Sequence, residues 1–81
     1  MSAAQPMHES MMSALRERSF RCLEIKRRGS TCYLVITMDE DAHVFVNRMG
    51  ERSEYRHAWQ VRDWLMSNFG IPPESVPIEV I

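Results

Sequence analysis

Residues 20–38 read FRCLEIKRRGSTCYLVITM, and turn chemistry and side-chain alternation agree on one structure for them. Gly29-Ser30 separates two β-prone runs, and Gly at the first central position suits a two-residue type II′ turn. Such a turn pairs Leu23 with Ile36, Ile25 with Leu34, Arg27 with Cys32 and Cys22 with Thr37. One face then collects Leu23, Ile25, Cys32, Leu34 and Ile36, and the other collects Cys22, Glu24, Lys26, Tyr33, Val35 and Thr37. A register shifted by one residue would put every apolar side chain of a strand on the wrong face, so the agreement fixes the hairpin.

Outward from this hairpin the pattern is less dense. Residues 1–6 read as a flexible N-terminus, and 7–81 as a single domain, the most that 81 residues allow. Pro6 suits a first helical position, and Met7, Met11, Ala14, Leu15 and Arg18 then recur at helical spacing, which predicts a short helix over 7–17. Asp39-Glu40-Asp41-Ala42 reads as a solvated turn, and 43–48 as a third strand. Two registers are open for that strand. A four-residue loop sets Phe45 beside Ile36 on the core face, whereas a bulge turns Val44 and Val46 inward. Met49-Gly50-Glu51 supplies another tight turn, and 52–56 a short fourth strand.

Ala58–Phe69 reads as a helix with Ala58, Val61, Leu65 and Phe69 on one face, Trp64 to one side, and Trp59 and Met66 to the other. Gly70 stands where a left-handed cap is usual, and Pro72-Pro73 block continuation. Residues 76–81 alternate Val76, Ile78 and Val80, with Pro77 favouring a sheet edge. The fold class is therefore α+β. The expected arrangement is a small antiparallel meander of three or four strands, a C-terminal helix on one face, a short N-terminal helix and a final edge strand, αβββ(β)αβ.

Composition sets bounds on function. A 44% hydrophobic and 26% charged chain belongs with globular domains rather than disordered ones. There is no apolar run of about 18 residues to span a membrane, and residues 1–13 lack the basic and apolar segments of a secretory signal. In the hairpin, Cys22 and Cys32 lie roughly 16 Å apart along the strands and on opposite faces, too far for a disulfide. Free thiols predict a reducing, cytoplasmic setting.

The net charge is −1, unevenly spread. Arg16, Arg18, Arg21, Lys26, Arg27 and Arg28 outnumber three acids in residues 1–28, while eight acids face four arginines in the rest. Six cations in segment 16–28 make a candidate phosphate-binding strip, although hairpin alternation turns Lys26 and Arg28 away from Arg21 and Arg27.

Catalysis finds no support. The acidic turn lacks the spacing of a calcium loop. His57 precedes a helix as a weak cap, His43 follows the acidic turn near Asp41, and Cys22 with His43 carries no nucleophile–base signature. No catalytic residue, cofactor or metal is assigned.

What remains is surplus apolar surface. Trp59 and Trp64 widen the helix's apolar arc, and Tyr33 and Val35 lie on the sheet face opposite the core, where the N-terminal helix or a second copy would have to cover them. The expectation is a small cytoplasmic, non-enzymatic binding or regulatory module acting through protein–protein contacts at Tyr33, Val35, Trp59 and Trp64. Its partner is another protein or a second copy in a homodimer. The alternative is a nucleic-acid-binding module using segment 16–28.

Overall fold

The computed structural model describes the backbone of residues 4–81 and the side chains of 7–81. In chain order it contains α1 (Ala4–Glu17), β1 (Cys22–Arg28), β2 (Thr31–Met38), β3 (Asp41–Val44), β4 (Glu54–Tyr55), α2 (Ala58–Phe69), a 3₁₀ turn (Pro73–Ser75) and β5 (Ile78–Val80). The strands form one mixed sheet in the order β3-β2-β1-β5, with β4 also pairing β2.

The β1–β2 hairpin has the register read from the sequence, from Cys22 opposite Thr37 to Arg28 opposite Thr31. Gly29 takes φ +63°, the positive value the turn demands of its first central residue. Leu23, Ile25, Cys32, Leu34 and Ile36 are all buried on one face. Against them pack Met11 and Leu15 of α1, Val61 and Leu65 of α2, and Phe45, Ile71 and Val76 from the connecting segments. Helix α2 has the predicted bounds. The Gln60 side chain accepts the His57 N–H at 3.0 Å at its start, and Gly70 closes it at φ +68° with its N–H directed to the carbonyls of Leu65 and Met66.

The structure refines four points within this α+β fold. Helix α1 starts at Ala4 rather than at 7; of the expected flexible N-terminus, residues 1–3 lie outside the described residues. Pro6 is accommodated because first-turn positions have no intrahelical N–H bond to lose. Second, of the two alternatives for Tyr33 and Val35, coverage by α1 is closed, because α1 lies beside α2 on the core face. His8 Nδ1 bonds the Val46 carbonyl at 2.8 Å, and Arg18 donates to the Phe69 carbonyl at 2.8 Å.

Third, β3 follows a two-residue turn, Asp39-Glu40, so that His43 faces Ile36 and Val44 faces Val35. Phe45 does reach the core, but beside Leu34, whose carbonyl its N–H meets at 2.8 Å. Asp39 adopts φ +55°, a left-handed conformation that a short polar side chain tolerates. Fourth, the strands are not a simple meander. β4 pairs with Cys32 and Tyr33 of β2, taking up the edge that β3 leaves. β5 runs parallel to β1 at the opposite edge, as Pro77 suggested.

Two predictions follow from local geometry. Gly70→Ala lowers stability by roughly 1–2 kcal/mol, because an L side chain is disfavoured at φ +68°. A Cβ there would meet only Arg18 Nη2 at 3.8 Å, so the cost is conformational, and Gly70→Asn should lose less in denaturant titration. The half-buried Tyr55 hydroxyl has its pKa raised above the ordinary 10.0 by desolvation. The unfolded chain therefore ionises first, and the stability tied to Tyr55 is intact below pH 10 and lost as pH rises through its folded value. Tyr55→Phe should flatten that alkaline decline in urea midpoints measured on either side of pH 10.

Candidate protein interaction surface

The two tryptophans of α2 have different fates. Trp64 is half-buried, with its ring 5.3 Å from Phe45 and 5.3 Å from Phe69 in tilted and edge-on contacts. It belongs to the wall of the core on the side that α1 occupies, where His8 also meets Phe45 at 5.7 Å. Trp59 points the other way and is 63% exposed, in a near-parallel stack on His57 with centroids 6.1 Å apart. Met66, two turns further along the same side, is 52% exposed. Between them Arg62, Asp63 and Pro73 complete a shallow depression of about 420 Å³.

Arg62 shows what this side of the helix looks onto. Its guanidinium donates to the Val76 carbonyl at 2.7 and 3.2 Å, binding α2 to the segment that leads into β5. The register places Ile78 beside Ile25 and Val80 beside Arg27, on the helix-bearing face of the sheet. Both are exposed, Val80 at 72%, and so is Ile81. Among the described residues the exposed large apolar side chains are Met7, Met49, Trp59, Met66, Ile78, Val80 and Ile81. All but the first two sit on this one flank.

The opposite sheet face is different. Tyr33 and Val35, expected as contact residues, are each only 8% exposed. They lie on the central strand, and charged neighbours shield them. Arg52 stacks over the Tyr33 ring at 4.6 Å while paired to Glu54 at 2.7 Å. Lys26 bridges Glu79 at 2.6 Å and Glu24 at 3.2 Å beside them. These carboxylates, Glu79 first, hold the Lys26 ammonium pKa above its ordinary value. Long charged side chains lying over apolar rings with their heads in water account for the burial without a covering helix.

The basic segment does not assemble into a strip. Lys26 is bound to carboxylates, Arg18 to the end of α2, and Arg27 donates to Cys32 Sγ at 3.2 Å. Arg16 stands on α1, while Arg21 and Arg28 flank opposite ends of β1, about 23 Å apart at strand rise. A second depression, of about 580 Å³, sets Arg18 and Arg21 against Asp39, Glu40 and Asp41, so neither sign dominates its field. Cys22 is free and exposed, and Cys32 free and buried. No group of three or more metal-ligating side chains occurs among the described residues, and no described helix is long and apolar enough to cross a membrane.

Sequence reasoning missed Ile78, Val80 and Ile81 as surface residues. The alternation of Val76, Ile78 and Val80 marks a strand without saying which of its side chains is covered, and only Val76 is. The signal was Pro77, because an edge strand at the margin of a helix layer lacks a neighbour on one side. No family model matches this chain, and neither a curated protein nor a solved structure matches it.

Proposed function

We propose that this chain is a non-enzymatic binding module that works through protein–protein contacts on the flank formed by α2 and β5. The observation that carries this reading is the number of exposed apolar side chains there, of which Trp59 is the largest. A tryptophan with nearly two-thirds of its surface in water gains on burial against a partner, and aromatic anchors dominate the energetics of interfaces. The neighbouring Arg62 and Asp63 supply the polar rim that such contacts carry. Of the four contact residues expected from sequence, Trp59 is the one this reading keeps. The two free thiols support a reducing, cytoplasmic setting.

Photo-cross-linking tests the reading. p-Benzoylphenylalanine in place of Trp59, in the cells that express the chain, should yield a discrete protein adduct, either with the chain itself or with another protein. The same group in place of Glu40, exposed on the β2–β3 turn, should yield none. Equal labelling from both positions, or none from either, would overturn the assignment of the flank. For the basic segment, titration with short mixed nucleic acids at low salt should shift no amide resonances in 16–28, because its cations are dispersed or already bound.

A further inference from the structure

The flank offers both unpaired backbone and exposed side chains, and one symmetry operation uses the two together. The Pro77 carbonyl accepts from Ile25 N–H at 2.8 Å, and Ile81 N–H donates to the Arg27 carbonyl at 2.9 Å. Backbone groups alternate along a strand, so Glu79 also points toward β1, while the N–H and C=O of Ile78 and Val80 point away from it. That outer edge is three residues long, and on it only the brevity of the strand and Glu79 oppose pairing. It carries no lysine, and the missing N–H of Pro77 lies on the β1 side, where it blocks nothing outside. The other edge of the sheet is split between the short strands β3 and β4, with Asp41, His43 and Glu54 along it.

Resting on the interaction surface assigned above, we propose that the partner is a second copy of this chain, joined by antiparallel pairing of β5 with β5 about a two-fold axis at Glu79. Ile78 then exchanges hydrogen bonds with Val80 of the second copy, and Val80 with its Ile78, which extends both sheets into one. An axis perpendicular to the sheet keeps all four helices on the same face. α1 lies on the far side of α2 and does not intrude. The Trp59 and Met66 sides of the two α2 helices face each other above an apolar seam of Ile78 and Val80 from both copies.

On the other face Glu79 meets its own symmetry mate, a like-charge contact that the Lys26 of each copy, 2.6 Å from Glu79 but shared with Glu24, offsets only in part. A two-fold contact must be self-complementary, and this flank meets that condition with backbone and side chains at once.

Sedimentation equilibrium of the full chain, from micromolar to millimolar concentration, should show a monomer–dimer equilibrium. Val80→Pro removes only an outward donor and leaves the β1 ladder intact, so it should weaken the dimer by about tenfold or more with unchanged circular dichroism. If Val80→Pro disturbs the fold, Val80→Lys makes the same test by placing a charge on the seam. Glu79→Cys in a Cys22→Ser background should oxidise to a covalent dimer, because directly opposed residues of a non-hydrogen-bonded pair stand within disulfide reach.

A monomer at every concentration overturns the proposal. So does a dimer indifferent to residue 80 that forms no cross-link at 79. A monomer that still gives a position-59 adduct with a different protein overturns the second-copy proposal alone, whereas loss of that adduct as well removes the interaction surface itself.

Discussion

Leu65→Ala lowers the unfolding free energy by about 3–4 kcal/mol, within the range for removing a fully buried leucine from a core that cannot collapse around the gap. Leu65 has no exposed surface and lies in the buried cluster with Val61 and Ile71. A chain of this size is stabilised by roughly 4–12 kcal/mol in total, so the loss is a large share of what holds the domain together. The melting temperature should fall by roughly 15 °C or more, since each kcal/mol shifts a domain of this length by about 4–8 °C. Met66→Ala, one residue along the same helix, should change stability by no more than about 0.5 kcal/mol, because that side chain already lies largely in water. Thermal unfolding of the pair decides whether α2 docks through its Val61–Leu65 side. Equal losses at 65 and 66 would sink that placement.

How far the chain announces this arrangement varies with how local the deciding contacts are. The β1–β2 register is legible because a turn of fixed length and a period of two must agree over seven pairs. The bounds of α2 are legible because Gly70 and the prolines after it stop the helix by backbone chemistry alone. The side of the sheet chosen by α1 is not legible. It is set by His8 reaching the Val46 carbonyl, 38 residues away, and by Arg18 reaching the Phe69 carbonyl, 51 residues away. The length of the β2–β3 turn is not legible, because Asp39-Glu40 has no glycine to mark it and Asp39 takes up the left-handed conformation itself.

The interaction surface depends on the same non-local choice. An apolar arc with a tryptophan on each side is visible in 58–69, but it does not say which side stays bare. By settling beside α2, α1 helps enclose Trp64 through the His8–Phe45 contact and leaves Trp59 and Met66 uncovered. Tyr33 and Val35 followed the opposite course. Strand alternation placed them on the helix-free face correctly, but position on the central strand, beneath Arg52 and beside Lys26, buried them without any second layer.

Trp59→Ser therefore separates binding from stability. The ring touches little of the folded chain besides His57, so unfolding free energy should move by no more than about 0.5 kcal/mol. Association should weaken by about 2 kcal/mol or more, roughly thirtyfold, the loss typical of an aromatic anchor at the centre of a contact. Trp64→Ser reverses the pattern. It removes a ring packed between Phe45 and Phe69, lowers stability by roughly 2 kcal/mol or more, and weakens association only to the extent that the fold is lost. Sedimentation equilibrium gives the self-association constant of each variant, and adduct yield from a photo-cross-linker in place of Met66 reports contact with any other protein. If Trp59→Ser leaves both readouts unchanged, its exposure is incidental and the α2–β5 flank is not where this chain makes its contacts.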